Sequence, residues 1–185
     1  TMAPEIPVVA GGMLVKKVLH AGEKFSEATL KYLSGFHPHV DAFVVEAKGE
    51  KTLIELLRSF ENGGSPDQVP NLAYFDSLGR LRFTQRIAEE ITMDDTAIRW
   101  DRVPKAYLRR TLPMNSSRGC AYRCRFCTYH WLFPQVHFKS LEVLKGELKQ
   151  IDALGFVRHV RFTDDNFTAQ KGRLKAVLEM MIREG

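Results

Sequence analysis

The chain has 185 residues, 44% of them hydrophobic and 26% charged, so it can bury a core, and its composition excludes the collagen-like, disordered and membrane-embedded classes. Its formal charge of +5 is dispersed rather than gathered in a block, which reads as a solvated basic surface and argues against nucleic acid as a partner. No apolar run approaches the roughly 20 residues of a membrane span, and the opening TMAPEIPVVAGG lacks the basic and apolar regions of a signal peptide, so a cytoplasmic location without membrane contact is expected.

In chain order, IPVVAGG (Ile6 to Gly12) predicts a short buried strand running into a double-glycine turn, Gly11 and Gly12, where missing side chains let the backbone approach another surface or a ligand. FSEATLKYLSGF predicts a helix with apolar positions Phe25, Leu30 and Leu33 and Ser26 as N-cap. VDAFVV (Val40 to Val45) predicts a second buried strand, and TLIELLRSFENGG a helix from about Thr52 that Gly63 and Gly64 end. Strand, helix, strand, helix indicates a parallel α/β layer. NLAYFDSLGRLRFT then alternates around Ser77, Leu78 and Gly79, as a β-hairpin would. Residues 85–110 are charged and irregular, and read as a connector between units 1–84 and 111–185.

A second α/β rhythm follows. LPMNSS (Leu112 to Ser117) predicts a strand leading into RGCAYRCRFCTYHW. Next comes a helix over Ser140 to Leu154, with Leu141, Leu144, Leu148 and Ile151 on one face, Ser140 as N-cap and Gly155 as its stop. VRHVRFTDD is the next strand. RLKAVLEMMIREG is the next helix, with a core stripe of Leu174, Val177, Leu178 and Met181.

All three cysteines, Cys120, Cys124 and Cys127, fall within the short run between Gly119 and Thr128. Their odd number and their spacing suit a metal site in a reducing compartment better than a disulfide framework. A closed structural site wants four protein ligands. His130 or His137 could complete a zinc site, although Cys-x-x-x-Cys is not a zinc knuckle, and inert packing is a further alternative. A four-iron cluster on three thiolates would leave one iron with an open coordination position, which a chemical site requires.

CAYRCRFC resembles the C-x-x-x-C-x-aromatic-C motif of radical S-adenosylmethionine (SAM) enzymes, and the strand before it and the helix and strand after it are in that family's order. The resemblance implies the start of a partial (β/α) TIM-like barrel. It implies that Cys120, Cys124 and Cys127 ligate a 4Fe-4S cluster whose fourth iron is chelated by SAM, and that reductive cleavage of SAM yields a 5′-deoxyadenosyl radical that abstracts a substrate hydrogen. Phe126 would then pack near the adenine. Thr163, Asp164 and Asp165, at the end of the following strand, match by location the contact to the SAM amino group, although the Gly-Gly-Glu common there is missing. Capping of a helix by Asp164 or Asp165 is the competing reading.

The N-terminal half, with VVAGG, VDAFVVEAKGEKTLIELL and the hairpin, resembles the end of the Rossmann-like cobalamin-binding domain of cobalamin-dependent radical SAM enzymes. In EAKGEKT only Gly49 and Glu50 match the second half of the Gly-Glu-Gly-Glu loop of those relatives. Gly11, Gly12, Gly49 and Glu50 would lie at the carboxyl ends of parallel strands, where open sheets bind ligands. The resemblance thus implies a central window of a larger enzyme; such relatives methylate carbon or phosphorus, or cyclise or rearrange their substrates, and methyl transfer with cobalamin as carrier is the expected reaction. It further implies a small-molecule or peptide substrate and an electron donor such as flavodoxin or ferredoxin. A tRNA methylthiotransferase is disfavoured because residues 1–119 contain no cysteine. An electron-transfer or structural iron-sulfur module is the non-enzymatic alternative.

Overall fold

A computed structural model describes residues 6–12, 15, 27–36, 39–127, 129–133 and 135–184. The chain divides into two compact units, Thr1–Glu90 and Ile91–Gly185.

The first unit is built on a mixed four-stranded sheet of order β1-β2-β3-β4. Its strands are β1 (Val9–Ala10), β2 (Ala42–Val44), β3 (Leu72–Phe75) and β4 (Leu81–Phe83), with helices α1 (Glu27–Ser34) and α2 (Glu50–Glu61) between them. β1 and β2 are parallel, with Val9 opposite Ala42, whereas β3 pairs antiparallel with both β2 and β4. The hairpin therefore widens the parallel α/β layer by antiparallel addition. β2 explains its own continuous apolar sequence. Phe43 and Val45 pack on one face with Ala73, and Ala42 and Val44 on the other with Leu56, Val69 and Leu72. Burying Leu56 or Phe43 in this way contributes about 1.5–3 kcal/mol each.

Phe25 and Ser26, expected at the start of α1, lie outside the described residues. α2 ends as its sequence predicts. Gly63 takes a positive φ of 70°, and the Gly64 N–H bonds the Ser59 carbonyl at 2.7 Å, closing the last turn. The hairpin turn is organised by Asp76, whose carboxylate accepts from the backbone N–H of Leu78 and Arg80 and from the guanidinium groups of Arg80 and Arg82. The backbone bond from Arg80, with the others, holds its carboxyl well below the usual carboxylate range.

The first unit runs past Thr84, where the sequence suggests a boundary. Buried Asn71, at φ 61°, uses its amide to bond the Ile87 carbonyl at 2.8 Å and the Ile87 N–H at 2.7 Å. Glu89 accepts the N–H groups of Lys51 and Thr52 at 3.0 and 2.9 Å, and so satisfies donors in the first turn of α2.

In the second unit, residues 91–110 are not a free connector. They form short 3-10 turns that carry Trp100 and Leu108 into the core with Leu112, Met114, Leu144, Ile151, Val177 and Met180. The elements that follow are β5 (Thr111–Met114), β6 (Ser117–Arg118), α3 (Tyr129–Leu132), β7 (His137–Phe138), α4 (Leu141–Ala153), β8 (His159–Phe162) and α5 (Lys171–Glu184). β5 and β8 are parallel neighbours, Met114 opposite Phe162, with α4 in the crossover between them. Leu112 and Met114 point inward while Thr111 and Pro113 face out, the period of a strand covered on one side.

α4 has the predicted cap and stripe. The Ser140 side chain accepts from the Val143 N–H at 3.2 Å, Leu144 and Ile151 are buried, Leu141 and Leu148 pack beside them, and Gly155 stops the helix at φ 74°. On α5 the stripe differs from the expected one. Leu178 is 44% exposed, and Met180 takes a core place beside Val177. Both positions lie within a helical turn of the stripe, and only the direction from which α4 packs separates them.

The second core also encloses an ion pair. Lys139 and Glu147 are 0% and 1% exposed, with Nζ and Oε2 2.7 Å apart, and Glu147 Oε1 accepts the Ile98 N–H at 2.8 Å. Removing one partner leaves an uncompensated buried charge. Lys139→Met is expected to destabilise this unit by about 3–5 kcal/mol, measured by denaturant unfolding. Lys139→Met with Glu147→Gln should recover part of that loss, since glutamine still accepts from Ile98.

A second expectation concerns pH. Because the Asp76 carboxyl is lowered from 3.8 on folding, its stabilisation of the hairpin is complete above that value and is lost as pH falls through the lower folded value. The protection factor of the Arg80 amide, its exchange rate relative to the intrinsic rate at each pH, should fall on acidification in the wild type, and Asp76→Asn should remove that fall.

Candidate functional site

The cysteine segment leaves β5 at its carboxyl end and has almost no regular structure of its own. It is closed at its base by β6 and β7, antiparallel with Ser117 opposite Phe138 and Arg118 opposite His137. The Lys139 N–H extends this clasp to the Ser116 carbonyl at 2.9 Å. Inside it, Gly119 adopts φ 103°, and a Cβ there would fall 2.2 Å from the Gln135 carbonyl oxygen. Only glycine fits this crossing, which sets the entry to Cys120.

The turn after β8 grips the same base. Asp164 Oδ1 accepts from the Ser116 hydroxyl at 2.8 Å and from the Ser117 hydroxyl, and Oδ2 accepts the Ser116 N–H at 3.0 Å. Asp165 Oδ2 accepts the Gly119 N–H at 2.9 Å, and the Asp165 side chain is also hydrogen-bonded to the Tyr129 hydroxyl. Burial, then this bond, raises the Tyr129 pKa, which keeps its phenol neutral. Neither aspartate caps a helix. Both instead hold the loop that carries the cysteines. Thr163 is exposed at the end of β8, with its N–H bonded to the Met114 carbonyl at 2.8 Å and its hydroxyl to the same oxygen at 3.3 Å.

The three cysteines are free thiols, Cys124 exposed and the other two half-buried. The Cys127 N–H bonds the Cys124 carbonyl at 3.0 Å, a tight turn between those two. Asn166 Nδ2 lies 3.9 Å from Cys120 Sγ. Phe126 is 90% exposed beside the last cysteine. Among the described residues, no group of three or more His, Cys, Asp and Glu side chains converges as a single ion would require, so His130 and His137 do not complete a zinc site. The donor set fits a multi-iron cluster instead, since three thiolates bound to three separate irons need not converge on one point.

Positive charge surrounds the loop. Arg123 and Arg125 are exposed on it, and the Arg118 guanidinium lies over the Phe133 ring, 5.7 Å from its centroid. Arg173 of α5 bonds the Lys139 carbonyl at 2.5 Å, and burial lowers its pKa against the opposing pull of Asp164 and Asp94. Sequence reasoning missed Gly119, Ser116, Asn166 and the Lys139–Glu147 pair. The legible signal was a pair of serines after one strand and a pair of aspartates after its parallel neighbour.

In the first unit, Gly11 follows β1 and Gly49 precedes α2, and both back onto Val44 of β2. A Cβ on Gly49 would lie 2.4 Å from Val44 Cγ1, and one on Gly11 3.4 Å from Val44 Cβ. Gly12 has φ 87° and open space around it, and Glu50 opens α2. The double glycine and the Gly49–Glu50 turn thus follow the carboxyl ends of two parallel strands, β1 and β2. Two cavities in this unit, of about 410 and 150 Å³, are lined by other residues, along α2 and by the Ile87–Glu89 segment. No helix among the described residues is long and apolar enough to cross a membrane.

Comparison with known proteins finds chains of similar fold. Two solved structures of the cobalamin-dependent S-adenosylmethionine radical enzyme OxsB are similar, one with aqua-cobalamin and SAM bound at TM-score 0.59 and 18% identity, one apo at 0.62 and 20%. Both alignments cover 95% of this chain and 24% of the other. The radical SAM methyltransferase TsrM from Kitasatospora setae, with tryptophan and a SAM analogue bound, is similar at TM-score 0.58 and 20% identity over 96% of this chain and 33% of its own. The chain thus spans about a quarter to a third of these proteins and shares their α/β fold. No curated protein matches it. Residues 114–185, a stretch that begins at the last residue of β5 and takes in all three cysteines, match the Radical SAM superfamily.

Proposed function

We propose that this chain is part of a cobalamin-dependent radical SAM methyltransferase acting on a carbon or phosphorus centre. The observation that carries the proposal is the cysteine loop itself, three free thiols at C-x-x-x-C-x-x-C spacing, clasped at the carboxyl end of one strand of a parallel βαβ unit. Ligands of such units gather at that end. When bound, the cluster with SAM supplies a 5′-deoxyadenosyl radical, and cobalamin supplies a methyl carrier.

The residues of the chain then have distinct tasks. Cys120, Cys124 and Cys127 hold three irons. Exposed Phe126 and exposed Thr163 flank the place where SAM would lie, Phe126 against its adenine and Thr163 near its amino group. Asp164 and Asp165 spend their carboxylates on the loop, so they position the thiolates and leave the SAM contact to Thr163. Arg118, Arg123 and Arg125 offset the negative charge of the site. Gly11 and Gly49, both against Val44, with Gly12 and Glu50 next to them in the chain, form the edge against which cobalamin would sit. In the two similar enzyme groups this pairing of cofactors occurs, OxsB with cobalamin and SAM and TsrM with cobalamin and a 4Fe-4S cluster. A small-molecule or peptide substrate and a flavodoxin- or ferredoxin-type donor complete the reading.

Anaerobically reconstituted full-length protein should show a cluster EPR signal that SAM alters, and should release 5′-deoxyadenosine on reduction. An unaltered signal from an intact protein refutes the proposal, as does a full cluster in Cys124→Ala. Purification with an intact cluster but no corrinoid absorption would remove cobalamin from the reading.

The brace gives a separate expectation. Asp164→Asn places an amide donor against the donors of Ser116 and Ser117 and forfeits charge-assisted bonds worth about 1.5–3 kcal/mol. Iron loss to a chelator should be about tenfold faster or more, read from the decay of iron-sulfur absorption.

A further inference from the structure

The turn after β8 does more than hold backbone. Asp164 and Asp165 take up donors of the loop base, and the next residue, Asn166, turns its side chain to the first cysteine. Its Nδ2 lies 3.9 Å from Cys120 Sγ, within reach of an N–H donated to a large sulfur. The orientation of the amide follows from its other end. Thr168 Oγ1 donates to Asn166 Oδ1 at 3.4 Å, which leaves the NH2 end for the sulfur. The backbone that leads into Cys120 is anchored as well, because the Gly119 N–H donates to Asp165 Oδ2 at 2.9 Å.

We propose that Asn166 is a positioning residue that sets the reduction potential of the cluster by donating to the sulfur of Cys120. This rests on the reading of Cys120 as an iron ligand. An N–H dipole directed at a thiolate disperses negative charge, and reduction adds negative charge to the cluster, so the donor favours the reduced form and raises the potential. Asparagine is suited to the task because it supplies this dipole without a titratable group. An aspartate at the same place would do the opposite.

The test is an EPR-monitored potentiometric titration of full-length protein, reconstituted anaerobically, as wild type, Asn166→Ala and Asn166→Gln. Asn166→Ala should keep wild-type cluster content and shift the potential to a more negative value. Asn166→Gln, which retains the amide donor, should return part of the shift. As a measurement that needs no variant, protein labelled with 15N at the asparagine side-chain amide should show a 15N hyperfine coupling to the reduced cluster in pulsed EPR. A wild-type potential in a fully loaded Asn166→Ala protein overturns the proposal, and so does absence of the coupling in the wild type. A protein that binds no cluster at all contradicts the proposed function itself, and the inference falls with it.

Discussion

The second unit depends on one arrangement, the carboxylates of Asp164 and Asp165 set against the N–H and hydroxyl groups of Ser116, Ser117 and Gly119. A loop that must present three side chains outward cannot also satisfy its own backbone by regular pairing, and buried donors without partners are costly. Here the partners are supplied by a neighbouring strand. Because β8 is parallel to β5, both strands deliver their exits to the same end of the sheet, and the acidic exit of one meets the donor-rich exit of the other. The parallel pairing therefore has a chemical consequence as well as a topological one.

Behind this lies a second layer of polar contacts that ties the loop to the helices. The Lys139 backbone bonds Ser116 on one side and Arg173 on the other, and its ammonium is paired with Glu147, which in turn holds the Ile98 N–H. A buried ion pair is weak evidence for stability in itself, since apolar replacements often serve as well. Its value here is geometric. It fixes where β7 meets α4, and β7 is the strand that closes the cysteine loop. Residues 91–110, through Ile98 and Trp100, belong to the same construction.

The first unit shows the same economy at a different edge. Gly11 and Gly49 each leave space that Val44 fills, so the glycines have a packing reason to exist beside any role toward a ligand. What the packing produces is an edge with little side chain on it at the carboxyl ends of β1 and β2. The hairpin, braced by Asp76, and the Asn71–Ile87 clasp extend the sheet and carry the chain onward from it.

Much of this protein was legible in its sequence. Periodicity located α2, α4, α5 and the hairpin, the cap at Ser140 and the stops at Gly63 and Gly155 followed from local chemistry, and the cysteine spacing supplied the site that the proposed function rests on. Those features depend on residues close together along the chain, which a reading of the chain can see. What only tertiary structure decided were the partners brought from afar. Asp164 serves Ser116, Glu147 serves Lys139 and Ile98, and Asn166 faces Cys120, each across a crossover or a loop. The choice of Met180 over Leu178 for the core belongs with them. In each case several residues were chemically able to fill the role, and the direction of packing, which no local pattern encodes, selected one.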